Sequence, residues 1–386
     1  SAGGNTGEID TFYDSAMALT HTFSSSLVND VRVGFLRGEL HRLTPSTDVD
    51  SLLIPNLVQE ALPSMSPAGY QGIGDSAGFD PTQQEYQVTN NLMVVKGKHI
   101  LSFGVDFRRF NINDLQLTAT SYSFNTLQTS NGTNTSTGNS FASLLLGLSS
   151  QYTADTNAGR FYERSNYFGA YGQDEYKVNQ NLTLNLGLRY DVEQNPNELD
   201  YNGSNFDLSS GQIITMRQLG TNRIQHTQWG NFGPRVGFTW NPFSKGTIVR
   251  GSYGIFYMPL TGRATSAYNR FPKDQPFTLQ SSGYTAAVVL SQTPAITPST
   301  NGYHLNQQWD DQNAHVPYFQ HISFDVQQRL PWRFVAQVGY TNSVSRHLWE
   351  NVQFNQIPIA EVQAAGGGTQ SMRPYPNFAN IGNFNE

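Results

Sequence analysis

Residues 167–196 read YFGAYGQDEYKVNQNLTLNLGLRYDVEQNP. The stretch divides into two long strands joined by a short turn at Asn179-Gln180-Asn181. In the second strand Leu182, Leu184, Leu186, Leu188 and Tyr190 fall on one face. Thr183, Asn185, Gly187, Arg189 and Asp191 fall on the other. A period of two sustained over this length means β-strand, because successive side chains point to opposite faces of the pleat. One face is wholly apolar and the other carries an Arg and an Asp. The Leu face therefore packs against a protein core or against lipid, and the rest of the chain decides which.

The same unit recurs along the chain. Asp14–Phe23 and Leu27–Gly38 flank Ser24-Ser25-Ser26, and Glu85–Val95 and His99–Asn111 flank Lys96-Gly97-Lys98. Ser165–Val178 and Leu182–Val192 flank the turn at 179–181. Gly233–Asn241 and Thr247–Met258 flank 242–246, and Tyr318–Arg329 and Arg333–Ser343 flank Leu330-Pro331-Trp332. The Gly, Pro, Asn and Ser of these turns are residues that tight hairpins require. Two further segments, Thr118–Asn125 and Ser149–Asn157, read as strands and bring the expected number to twelve. Between them lies the run 140–147, SFASLLLG, read as a short helix or an apolar tuck. Long connections near 40–84, 194–232 and 259–317 alternate with the short turns, and loops of that length are uncommon in compact soluble domains. Ten residues at about 3.3 Å, tilted by about 45°, span about 23 Å, close to the apolar band of an outer-membrane barrel.

The faces sort the same way in each strand. The apolar face gathers Val31, Val33 and Phe35; Leu101, Phe103, Val105 and Phe107; Val236, Phe238 and Trp240; Val249, Tyr253 and Ile255; Ile322, Phe324 and Val326; and Ala336, Val338 and Tyr340. The opposite face gathers Arg32, Asp106, Arg108, Arg189, Asp191, Arg235, Arg250 and Asp325, interspersed with Gly. A soluble sandwich places many Lys and Glu outward, and these strands are poor in Lys. The fold class expected is all-β: a transmembrane antiparallel β-barrel with the apolar face toward lipid and the mixed-charge face toward the lumen. Tyr167, Tyr171, Tyr176, Trp240, Tyr253, Tyr257 and Trp332 are expected in the aromatic girdles at headgroup level.

Composition agrees. Charged residues make up 13% of the 386, against 19 Tyr, 24 Phe and 35 Gly. Such a balance is odd for a cytosolic enzyme and ordinary for an outer-membrane barrel, although a secreted all-β domain shares it. The lack of cysteine removes disulfide frameworks, thiolate metal sites and Cys nucleophiles. A net charge of −6 without a basic run gives no footprint for nucleic acid. No apolar run approaches the length of a transmembrane helix. No G-x-S-x-G elbow, H-E-x-x-H pair or Walker loop occurs, so no enzyme activity, catalytic residue, metal site or cofactor is expected. Asp48 with Asp50, and Asp310 with Asp311, read as solvated loop acids rather than cation ligands. His315 and His321 read as loop or girdle residues.

Three motifs carry a family resemblance. The first is Tyr167-x-Gly169-x-Tyr171-x-Gln173-Asp174-x-Tyr176-Lys177-Val178, followed by Leu182 to Tyr190. The second is Asn231-Phe232-x-Pro234-Arg235-x-Gly237-Phe238 with Val249-Arg250-Gly251-x-Tyr253-Gly254-x-Phe256-Tyr257, and the third is 140–147. Together they resemble the barrel of TonB-dependent outer-membrane receptors, most closely the Oar-like group, in which position 176 is often Trp where this chain has Tyr176. The resemblance implies a bacterial outer-membrane barrel of about twenty-two strands that imports a bulky ligand. Its implied partners are lipid, a plug domain, the remaining barrel strands and an energy-coupling TonB-type protein. No signal segment, coupling box or plug is recognised in residues 1–386, and the end Asn383-Phe384-Asn385-Glu386 departs from the family's terminal aromatic. The whole of 1–386 is therefore expected to be a barrel segment, with the three long connections extracellular. Arg108, Arg189, Arg235 and Arg250 are candidates for plug contact or ligand steering, or for cross-strand pairing with Asp106, Asp191 and Asp325. A surface scaffold or adhesin-like subunit, and a closed passive porin, are the alternatives.

Overall fold

The computed structural model describes residues 7–383, except 44–52, 58–61, 75–77, 116, 133–136, 157–158, 244–245, 259–268, 298–301, 303–304, 349 and 351. Asp48 and Asp50 lie outside the described residues. Ten strands form one antiparallel meander in chain order: β1 Gly7–Ser24, β2 Leu27–Leu43, β3 Thr82–Lys96, β4 His99–Asp114, β5 Phe161–Asn179, β6 Leu182–Glu193, β7 Phe232–Trp240, β8 Thr247–Tyr257, β9 Tyr318–Arg329 and β10 Val335–Arg346. The pair Asn197–Glu198 adds a short strand beside β5. The five hairpins expected from the sequence are all present. Most strands run further than expected at the end bearing the long connections. β1 reaches 18 residues and β5 reaches 19, whereas about 9–11 tilted residues cross the apolar band.

The two remaining strand expectations need correction. Ser121–Phe124 and Gln151–Asp155 do not enter the barrel wall, because β4 pairs directly with β5. They join Ser64–Pro67 and Pro276–Gln280 in a separate four-stranded sheet. At four or five residues they are too short to cross a bilayer. Their side chains are buried among protein groups instead: Tyr122 and Tyr152 are both 0% exposed, with Met65, Phe124, Ala154 and Val288 around them. Burial pushes the Tyr122 phenol up to about 12, and its bond to Thr293 Oγ1 at 2.8 Å only partly opposes this. A phenol that stays protonated in the folded state favours folding below its unfolded value of about 10. That contribution is lost as pH rises through about 12. This sheet is therefore expected to open to protease between those values, before the barrel strands do, and pulsed proteolysis across the pH series checks it.

Residues 140–147 begin as a helix, Ser140–Leu145, capped by the Asn139 side chain on the backbone N–H groups of Phe141 and Ala142. Its orientation is unusual: Ser140 and Ser143 are buried, while Leu145 and Leu146 are exposed. The buried hydroxyls donate to the carbonyls of Ala68 and Asn125. A second small core joins the 194–232 connection to the C-terminal region. Phe206, Phe378 and Ile381 pack there with Trp309 and Tyr375. Asn355 ties it together, donating to the carbonyls of Tyr375, Phe378 and Ala379. Asp310 belongs to this layer and is 1% exposed. It accepts from Gln308 at 2.8 Å, so it is not the solvated acid expected from the sequence. Long connections thus fold into layers at one end of a barrel wall whose other end has only short turns.

The wall is open among the described residues. β1 pairs only with β2, and β10 only with β9.

Candidate lumen site

Register decides which side chains meet. Across β2 to β6 one row runs Arg32, Thr89, Asp106, Gly169 and Asp191. The next runs Gly34, Gln87, Arg108, Tyr167 and Glu193. Residues directly opposite in an antiparallel pair share a face. The charges picked from separate strands therefore meet on one side of the wall. The apolar set meets on the other: Leu184, Leu186 and Leu188 lie opposite Phe238, Val236 and Pro234, and Val326 lies between Val249 and Val338.

The charged cluster is densest toward the end with the long connections. Arg189 Nε donates to both Asp191 oxygens at 2.9 and 3.0 Å, and its Nη2 donates to Tyr167 Oη at 2.7 Å. The Tyr167 hydroxyl in turn donates to Asp191. Arg108 pairs with Asp106 at 2.8 Å, approaches Glu85 at 3.8 Å and lies over the Tyr167 ring at 5.3 Å. Arg235 stands 4.5 Å over the Phe256 ring. Arg108, Arg189, Asp191 and Arg235 together border a cavity of about 230 Å³. Asp106 lines a neighbouring, smaller cavity with Arg32 and Arg189. Arg250 and Asp325 pair at 3.4 Å nearer the short turns. They border a wider recess that also reaches Arg235 and His321. Five of the seven sequence candidates thus meet in one cluster and two form a separate pair.

Two girdle expectations are overturned. Tyr167 and Tyr171 lie on the charged face, because each pairs with a residue of that face: Tyr167 with Arg108, Tyr171 with Arg189. Tyr167 is the hub of the cluster, a role not expected from the sequence. Pairing counted back from the 179–181 turn sets Tyr176 opposite Leu184, which puts odd-numbered residues of β5 on the charged face, so the signal was present. Glu85 and Phe256 were missed for want of a neighbour in sequence. Tyr176, Trp240, Tyr253 and Tyr257 do lie on the apolar face. Tyr176 stacks on His99 at 4.3 Å, Tyr190 on Phe232 at 4.6 Å, and Tyr257 packs on Tyr318 at 5.6 Å. His315 stacks on His347, and His321 lies on the charged face bonded to Ser343.

Two polar pairs lie on the apolar face. Asn29 and Asn90 bond each other at 3.1–3.2 Å, and Asp174 meets His99 at 2.8 Å. Mutual pairing is what a polar group on such a face requires.

Tyr171 depends on Gly104. A Cβ at residue 104 would lie 2.2 Å from Tyr171 Cε1. Gly104→Ala must therefore displace the ring and break its 2.9 Å bond to Asn91. The expected cost is about 1–3 kcal/mol, read as a lower urea midpoint for folding in lipid vesicles.

No curated protein matches the chain. Among solved structures, the outer membrane transporter YddB from Escherichia coli aligns with a TM-score of 0.54 at 13% identity. The alignment covers 97% of this chain and 37% of that one. The ferric-catecholate import receptor Fiu from E. coli aligns with a TM-score of 0.44 at 12% identity, covering 91% and 47%. The chain thus spans less than half the length of each of these structures, and at these identities the likeness to YddB concerns the fold alone. The family model described as an outer membrane beta barrel domain matches residues 1–386. The chain belongs to that outer membrane β-barrel family, and its place is the bacterial outer membrane.

Proposed function

We propose that this chain is part of the barrel wall of an active importer of the TonB-dependent, Oar-like kind, carrying a bulky ligand across the outer membrane. The observation that carries the reading is the lumen wall. It bears a clustered, partly enclosed set of arginines and carboxylates beneath folded long connections, which suits contact with a lumen-filling domain and with a solute passing it. In this reading the short turns are periplasmic and the long connections extracellular, where they capture ligand. The outer edges of β1 and β10, unpaired among the described residues, support further strands beside them, because hydrocarbon leaves exposed backbone N–H and C=O groups without partners. A plug and an energy-coupling protein complete the mechanism.

The test is planar-bilayer conductance of the protein in the form the cell places in its outer membrane. An importer blocked by its plug passes no steady current without coupling. A steady ohmic conductance would overturn the reading in favour of a passive porin.

A further inference from the structure

The lumen arginines differ in one respect. Arg108 is neutralised by Asp106 and Glu85, Arg189 by Asp191, and Arg250 by Asp325. Arg32 pairs with Asp30. Arg235 makes no ion pair or hydrogen bond among the described residues and rests on the Phe256 ring. It borders both the 230 Å³ cavity and the recess below it. Its position is set by β7: it lies opposite Gly187 on one side and Gly254 on the other. Neither neighbour has a side chain to cover it, so the guanidinium fork reaches open space.

Three carboxylates border this cavity and its neighbour: Glu193, which is 7% exposed, and Asp191 and Asp106, which are held by arginines. Asp191 is held by Arg189 and Tyr167, and Asp106 by Arg108 and Gln87. Both acids take an arginine two residues away on their own strand. That arrangement fixes the two pairs and leaves a third guanidinium facing the same cavity. Phe256 supports its flat face and leaves its N–H edge free, the edge that binds planar oxyanions in bidentate fashion. Met258 and Val316 add an apolar side to the cavity.

We propose that Arg235 is the oxyanion-binding residue of the lumen, taking a carboxylate or phosphate group that projects into the cavity beside Phe256. The proposal deepens the lumen reading above and rests on it. The shared chemistry has two sources: an acidic side chain of a protein segment occupying the lumen, or a free anionic solute.

Arginine-selective labelling with phenylglyoxal, mapped by mass spectrometry, tests this on the full chain refolded in detergent. Arg235 is expected to react several-fold faster than Arg108 and Arg189. Phosphate is expected to slow Arg235 several-fold relative to chloride at equal ionic strength, leaving Arg189 unchanged. Benzoate should do the same. Equal reactivity of the three arginines, or equal protection by chloride, would overturn the assignment. The outer-membrane form separates the sources. Slow labelling of Arg235 before any anion is added assigns a protein carboxylate, and fast labelling slowed by phosphate assigns a free solute. The readout needs no transport, so its failure leaves the importer reading standing, and a steady conductance leaves the anion site standing.

Discussion

Val236→Arg is expected to destabilise the barrel in lipid vesicles by about 2–4 kcal/mol, the cost of a guanidinium near the bilayer midplane. Val236 lies mid-strand in β7, 46% exposed, between Leu186 and Tyr253 on the apolar face. No carboxylate lies directly opposite it to receive the charge. Ser252→Arg places the same group on the other face, one position from Gly251 in β8. There it loses only the 2.7 Å bond between Ser252 and Ser323, about 1 kcal/mol, and its charge stays in a wet lumen. Urea titrations of the two variants in vesicles give the difference. Equal costs would mean that the two faces do not meet different media.

The second large effect lies outside the membrane. Tyr152→Ala removes a fully buried ring that packs on Tyr122 at 5.1 Å and on Phe277 at 6.2 Å. Emptying such a site costs about 3–5 kcal/mol, more than a small four-stranded layer is expected to hold in reserve. That layer should then be cut by protease at low concentration while the barrel strands stay protected. Tyr152→Phe is the control. The Tyr152 hydroxyl is buried without a hydrogen-bond partner among the described residues, so its removal should leave protection unchanged or improve it. Protease resistance of Tyr152→Ala equal to that of the parent would show that the layer is not held by this core.

The barrel was legible because two signals agreed. Alternation in Leu182–Tyr190 fixed strand and face together, and the short turns fixed which strands pair. Each expected hairpin is present, and Tyr318–Arg329 has the expected bounds. What failed had physical causes. Ser121–Phe124 and Gln151–Asp155 alternate as barrel strands do, but four or five residues carry no mark of whether lipid or protein covers them. Burial of Tyr122 and Tyr152 comes from residues far away in sequence, such as Met65 and Val288. The helix Ser140–Leu145 hid its orientation for the same reason: its serines face carbonyls of Ala68 and Asn125, which its own sequence does not reveal. In the lumen, the candidate charges were visible as charges. The isolation of Arg235 was not, because it depends on Asp191 and Asp106 each being occupied by an arginine two residues away.

The chain contains no cysteine, so single cysteines placed from residue 182 to 191 report each position without interference. In vesicles containing brominated lipid, a fluorophore at Leu184→Cys, Leu186→Cys or Leu188→Cys should be quenched. Asn185→Cys, Gly187→Cys and Arg189→Cys should instead react with a membrane-impermeant maleimide and escape quenching. The expected result is an alternation of period two through the whole strand, with the Leu series in lipid. Uniform aqueous labelling, or alternation with the Leu series on the water side, would contradict the account.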